Sequence, residues 1–356
     1  MLFPVCVSWD TFQRVIVKTI TPVGRRHRMA GIRTLCSNMR KIVFSGIQPS
    51  GTLHIGNYLG MVQGLVKLQH DHDVIISVVD LHAMTTYKDP SVLRKRIVEM
   101  AASLMASGVD VRATVLFQQS SVPLHTQLAW LLGTFVTVPQ LSHLSHFREK
   151  TEVYRNGETA DILLYRAAEV PVGEDQVQHI RLAQKIAGSF NNKYKQNFFP
   201  VPVQINSTYG RVKSLRDPTK KMSKSDPDIK SCINIDDSSD TIKLKVQKAV
   251  TDCISDLSYD PHARPGVSNL LRIHSGLTNT SVDQIVKENG GKTVGQYKMV
   301  LAEVIAETLK PVRDRIRRLT KDEGFVTSAL AVGSDRASEI AFETYDEVKK
   351  LVGIQL

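Results

Sequence analysis

The chain has 356 residues, 42% of them apolar, enough for one large or two ordinary domains around a sizeable core, and its formal charge of +11 suggests a polyanionic partner. No stretch approaches the roughly 20 uninterrupted apolar residues that cross a bilayer, so the sequence predicts a soluble protein without a transmembrane helix. Its cysteines, Cys6, Cys36, Cys232 and Cys253, stand apart, with no Cys-x-x-Cys and no matching histidine spacing, which argues against a disulfide framework or a zinc centre and fits a reducing compartment.

Residues 1–40 hold seven basic residues (Arg14, Lys18, Arg25, Arg26, Arg28, Arg33 and Arg40) against one acid, Asp10, and so carry +6 of the +11. This acid-poor segment, with an apolar run at Val15-Ile16-Val17, fits a transit peptide for import into the mitochondrial matrix. A retained basic arm that touches RNA electrostatically is the alternative.

From Lys41 onward the pattern alternates. Ile42 to Phe44 reads as a strand, Ile55 to Gln69 as a helix, Val74 to Val79 as a buried strand, Ser91 to Ser107 as a helix, Thr114 to Gln118 as a strand and Leu124 to Val136 as a helix. Such β-α-β crossovers predict an α/β fold with a parallel sheet covered on both faces. After about Ser225 helical periodicity dominates, at Asp240 to Asp252, Val282 to Asn289, Val294 to Leu319 and Asp335 to Leu351, with Pro311 expected to kink or divide the longest of these. The expected organisation is therefore a presequence (1–40), a nucleotide-binding domain (41–225) and an α-helical domain (226–356).

The first strand runs into Ser45-Gly46-Ile47-Gln48-Pro49-Ser50-Gly51-Thr52-Leu53-His54-Ile55-Gly56-Asn57, a turn that opens a helix. Open α/β sheets bind ligands beyond the carboxyl ends of their strands, and a helix N-terminus favours phosphate. His54 and Asn57 share a helix face, and Gly56 has no side chain to block a nucleotide. Lys220-Lys221-Met222-Ser223-Lys224-Ser225 reads either as a solvated basic loop or as a clamp that sets ammonium groups against a triphosphate. His143 and His146 form a His-x-x-His with no third ligand nearby, so no metal site is assigned there.

Lys-Met-Ser-Lys-Ser following a strand-turn-helix with His-x-Gly-x resembles the class I aminoacyl-tRNA synthetases. Phe44 to Gly51, Asp80-Leu81-His82 and Val172-Gly173-Glu174-Asp175-Gln176 resemble the tryptophan-specific members of that class, mitochondrial type. The resemblance runs from about Lys41 to the C-terminus. It implies a Rossmann-type catalytic domain, a helical anticodon-binding domain, a homodimer, ATP as substrate with Mg²⁺, and L-tryptophan and its tRNA as partners. Carried over by position, Gln48, His54, Gly56, Asn57, Gly173, Asp175, Lys221, Met222 and Lys224 would bind ATP, with His54, Asn57, Lys221 and Lys224 serving catalysis. Phe44, Gln48, His82, Asp161 and Gln176 would bind tryptophan. Asp161 would accept the indole N–H, although local sequence alone makes it an N-cap before Ile162-Leu163-Leu164. Lys310, Arg313, Arg315, Arg317 and Arg318 form the densest basic run of the helical region, able to meet tRNA phosphates or simply to be solvated.

The sequence departs from this family at one place. Before Ala160-Asp161-Ile162-Leu163 the family carries a further apolar run of about ten residues, whose loss removes roughly 15 Å of helical path and, by the same resemblance, part of the tryptophan pocket wall. A skipped coding segment, an inactive splice form and a tolerated deletion each account for it. The first fits best with an otherwise intact pattern. A catalytically silent tRNA-binding protein on the same fold is the rival reading.

Overall fold

The structure is a computed structural model that describes residues 40–84, 89–137, 152–173, 177–205, 211–224 and 226–355. Asp175, Gln176, His143, His146 and residues 1–39 of the expected presequence lie outside the described residues. Lys41–Leu356 form one compact unit.

The strands are β1 (Ile42–Ile47), β2 (Asp73–Val78), β3 (Val115–Gln118), β4 (Glu169–Pro171) and β5 (Val203–Ile205), all parallel, in the order β3-β2-β1-β4-β5. Their apolar content explains this. β2 buries every residue after Asp73, as a strand covered on both faces does. The chain winds from β1 outward to β3, then returns to the other side of β1 for β4, so a topological switch point opens between β1 and β4.

The helical run α1 after β1 consists of Ile55–Asn57, a π-helical turn Tyr58–Val62, and Gln63–Leu68. It begins where expected. The next helices are α2 (Asp80–Ala83), α3 (Pro90–Ala106) and α4 (Leu124–Gly133). Asp80 is spent on structure. Its carboxylate accepts the Ser120 amide at 2.9 Å and Gln118 Nε2 at 2.7 Å, pinning the ends of β2 and β3 together. α5 (Glu152–Leu164) and α6 (Val177–Tyr194) flank β4.

The later helices are α7 (Ser239–Gln247), α8 (Pro265–Thr278), α9 (Val282–Glu288), α10 (Val294–Lys321) and α11 (Glu323–Val352). Pro311 lies inside α10 and does not divide it. Proline removes one bond, to the Glu307 carbonyl, but Leu309, Val312 and Ile316 are buried on the same helix and hold both halves in register. α11 begins twelve residues before its expected start and packs on the edge strand β3. A Cβ at Gly333 would sit 1.8 Å from the Leu116 carbonyl oxygen, so only glycine permits this approach. Arg336 Nη1 donates to the Val111 carbonyl at 3.0 Å, and Arg315 Nε to the Ala106 carbonyl at 2.7 Å.

The basic run of α10 therefore splits. Arg313 is buried and donates to the Asp237 carbonyl at 2.9 Å, which withholds its guanidinium from a phosphate, and half-buried Arg315 spends its Nε on the end of α3. Lys310, Arg317 and Arg318 stay exposed.

Candidate active site

A cleft of about 810 Å³ opens at the switch point, between the ends of β1 and β4. One end is built by the turn after β1. Gly51 takes φ +98°, a conformation that glycine adopts freely, and the chain then meets α1 at His54. Here a capping box forms: the Asn57 amide donates to His54 Nδ1 at 3.2 Å, and the His54 amide to Asn57 Oδ1 at 3.5 Å. Gly56 makes room for this arrangement before it makes room for any ligand, because a Cβ there would lie 2.9 Å from the His54 ring.

The segment that follows the lysine loop is stitched to that turn, and the loop itself to Val212. The Ile55 amide donates to the Ile233 carbonyl at 2.8 Å and the Ile235 amide to the Leu53 carbonyl at 2.9 Å, while the Met222 amide donates to the Val212 carbonyl at 3.1 Å. The histidine turn and the lysine loop share one wall of the cleft. Met222 is buried, and Lys221 and Met222 line the cleft. Lys224 lies just behind it, half-buried, near enough to act on His54.

The electrostatics follow. Burial first, then the charges of Lys224 and Lys221, drive the His54 imidazole down to about 3. The ring is neutral at physiological pH, with Nδ1 accepting from Asn57, so its proton sits on Nε2. Burial also brings the Lys224 ammonium down to about 8, against partial support from Cys232 and Asp236.

The other end of the cleft is lined by Phe44, His82, Glu158, Asp161, Ile162, Val170, Val172, His179 and Ile180. Asp161 lies inside α5, three residues from its C-terminal end, and is not an N-cap. It is 2% exposed. Its Oδ1 faces His125 Nδ1 at 2.6 Å, and its Oδ2 accepts Gln119 Nε2 at 2.7 Å, with His82 Nε2 at 3.4 Å. Burial pushes the carboxyl up, but His125, His82 and Gln119 together hold it below the ordinary carboxylate value. Residues 152–160, directly before Asp161, themselves supply the first turns of this helix, and from it Glu158, Asp161 and Ile162 line the cleft. Glu158 takes part of that wall and pairs with His179 Nδ1 at 2.6 Å.

Of the residues singled out from sequence, Phe44, Gln48, His54, Gly56, Asn57, His82, Asp161, Gly173, Lys221 and Met222 border one cleft. Lys224 does not reach its surface. Sequence reasoning passed over Gln119, His125, Glu158, His179 and Arg211. Gln119 was within reach, since it follows β3 at the carboxyl edge of the sheet, where open α/β sheets bind ligands. Among the described residues no cluster of His, Cys, Asp or Glu suits a resident metal.

The family model for tRNA synthetases class I (W and Y) matches residues 37–310. The tryptophan–tRNA ligase of Caldanaerobacter subterraneus subsp. tengcongensis is 43% identical over 326 residues, 89% of this chain and 99% of that protein. The crystal structure of tryptophanyl-tRNA synthetase from Mycoplasma pneumoniae superposes with a TM-score of 0.76 at 28% identity, covering 88% of this chain and 98% of the other. The Campylobacter jejuni tryptophanyl-tRNA synthetase complexed with ADP and tryptophan gives 0.74 at 28%, covering 88% and 99%. A cleft walled by both lysine loop and histidine turn, together with similarity along nearly the whole compact unit, leads to one conclusion: the chain belongs to the class I tRNA synthetases of the tryptophan and tyrosine group.

Proposed function

We propose that this chain activates L-tryptophan with ATP and transfers it to its tRNA, as a tryptophan–tRNA ligase of the mitochondrial matrix. The observation that carries the reading is the polarity of the cleft: cationic Lys221, with Lys224 behind it, and a neutral imidazole at one end, an ionised carboxylate beside aromatic and aliphatic walls at the other. ATP lies with its phosphates toward His54, Asn57 and the lysines, and Met222 and Gly173 border its base and ribose. Tryptophan lies against Phe44, with its ring N–H toward Asp161 and its polar end toward Gln48. Asp175 and Gln176 are assigned to the ribose and the amino acid by position in the family motif.

A carboxylate oxygen of tryptophan bonds to the α-phosphorus in line with the departing bridge oxygen. The α–β bond breaks, and its electron pair leaves with pyrophosphate. The lysine ammonium groups stabilise the charge that accumulates there, and the Nε2–H of His54 adds a hydrogen bond without adding charge. Mg²⁺ enters with the nucleotide as part of the substrate, since the phosphate end of the cleft presents cations rather than carboxylates. The adenylate then acylates a hydroxyl of the terminal tRNA ribose and AMP leaves.

Import is supported by the basic segment of residues 1–40, most of which precedes the family match at residue 37. A mature N-terminus near residue 1 in native protein rules it out. The working form is a homodimer. Trp130, 82% exposed on α4, and Phe342, 58% exposed on α11, supply apolar surface suited to a second copy. Sedimentation at micromolar concentration checks this.

The reading is tested by tryptophan-dependent exchange of labelled pyrophosphate into ATP with residues 41–356, using other amino acids as controls. Exchange with tryptophan alone supports it. A folded chain that binds tRNA without exchange supports instead a catalytically silent tRNA-binding homologue, a reading favoured by the polar Glu158–His179 pair in the ring-side wall.

A further inference from the structure

Behind the ring end of the cleft lies a group of polar side chains that no step above employs. His125, on α4, is 2% exposed, and its Nε2 lies 2.9 Å from the hydroxyl of fully buried Tyr165 while its Nδ1 meets Asp161. Asp161 and His82 line the cleft; Gln119, His125 and Tyr165 do not. An ionised carboxylate only accepts, so the nitrogen 2.6 Å from Asp161 carries a proton. Nε2, the other ring nitrogen, pairs with the Tyr165 hydroxyl, so one imidazole bridges the buried phenol and the carboxylate.

A carboxylate offers about four lone-pair sites. His125 takes one on Oδ1 and Gln119 one on Oδ2, with His82 Nε2 3.4 Å from Oδ2, and the acceptor capacity that remains belongs to a carboxylate that lines the cleft. Aromatic packing fixes the arrangement: Phe117 stacks on His125 at 5.7 Å between ring centroids and meets Tyr165 edge-on at 5.6 Å, and Tyr165 stacks on the cleft residue Phe44 at 5.5 Å.

We infer that His125 is a positioning residue for amino-acid selection, aiming the Asp161 carboxylate at the cleft so that its free lone pairs meet the ring N–H of the substrate. The inference rests on the reading of Asp161 given above. It separates the two bonds of the imidazole. In His125→Asn the side-chain nitrogen takes the place of Nδ1 and keeps the bond to Asp161. In His125→Gln it takes the place of Nε2, keeps Tyr165, and leaves Oδ1 without its donor.

The test uses the full chain and compares tryptophan with its isostere in which sulfur replaces the ring N–H, by pyrophosphate exchange and by calorimetric binding, with unfolding midpoints recorded for each variant. His125→Gln is expected to raise the KM or Kd for tryptophan roughly ten- to a hundredfold, to leave the ATP KM within about twofold, and to shrink the preference over the isostere by the same factor. His125→Asn and Tyr165→Phe keep most of the preference. Equal losses in the two amide variants, or an unchanged preference in His125→Gln, overturn the inference. If His125→Gln does not fold, a lost preference in folded His125→Asn overturns it and a retained one supports it. Asp161→Ala, which has no acceptor, separates the underlying reading: an intact preference there sinks the N–H reading itself, whereas a preference lost in Asp161→Ala but kept in His125→Gln leaves that reading standing and removes His125 from it.

Discussion

The two ends of the cleft start from the same handicap and finish in opposite states. Burial penalises charge at both. At the nucleotide end the neighbours of His54 are lysines, which add to that penalty and leave the ring neutral, down to about 3. At the ring end the neighbours of Asp161 are His125, His82 and Gln119, which more than offset it and leave the carboxylate ionised. Desolvation alone does not decide what a buried group becomes; the sign and donor capacity of its neighbours do. One cleft thereby presents an uncharged donor where a polyanion is expected and a charged acceptor where a single N–H is expected.

The comparison breaks most severely if the cations are removed. Lys224→Ala is expected to lower kcat/KM for ATP by about 10²- to 10³-fold, the usual loss for one preorganised group that stabilises developing charge, while tryptophan affinity stays unchanged. Pyrophosphate exchange at varied ATP, with tryptophan binding measured by calorimetry, checks both halves. Loss of tryptophan affinity in the same variant means the two ends are not independent.

Acid unfolding sharpens the contrast. His54 has a folded value below its unfolded one of 6.5, so its contribution to stability is complete above 6.5 and is lost as pH falls toward about 3. By pH 5 the unfolded chain gains about 2 kcal/mol from protonating this one site. The wild type should lose that much more stability between pH 7 and pH 5 than His54→Asn, which keeps an N-cap. Asp161, also held below its ordinary value of 3.8, contributes at all pH above that value and loses its contribution only further down. Denaturant titrations at pH 7, 5 and 3 resolve the two; parallel curves for wild type and His54→Asn between pH 7 and pH 5 contradict the assignment.

Gly56→Ala should damage one end only. The added methyl lies 2.9 Å from the His54 ring and displaces it from the capping box, raising the ATP KM about tenfold, equivalent to roughly 1.4 kcal/mol, with the tryptophan KM unaltered. Equal changes in both KM values count against a local effect.

How much of this was legible in the sequence follows from the range of each interaction. The nucleotide end rests on contiguous signals: β1, the turn, the cap at His54, and the lysine loop all declare themselves in short stretches. The ring end does not. Asp161 looks locally like an N-cap, but it sits near the end of α5 because residues 152–160 continue the helix backward. Its partners His125 and Gln119 come from α4 and the turn after β3, and become neighbours only when α4 packs on α5. Arg313 and Arg315 mislead for the converse reason, since a dense basic run does not reveal that two of its members face the body of the protein. α11 docks on β3 through Gly333, a contact visible only in three dimensions.

The smallest effect concerns Lys224, and its sign is opposite to that of His54. Its ammonium, held at about 8 chiefly by burial, loses charge as pH rises through that value. A bound triphosphate favours the charged form, so ATP affinity should fall as the free protein deprotonates, and the KM for ATP should rise about threefold between pH 7.5 and pH 8.5. Tryptophan affinity should stay level across this window, since Asp161 is ionised throughout it. The measurement is the pH profile of both KM values in pyrophosphate exchange. Lys224→Arg, whose guanidinium keeps its charge, should flatten the ATP limb while leaving the tryptophan limb as it was. An ATP limb that persists in Lys224→Arg places the titrating group elsewhere and detaches the basic arm of the profile from this lysine.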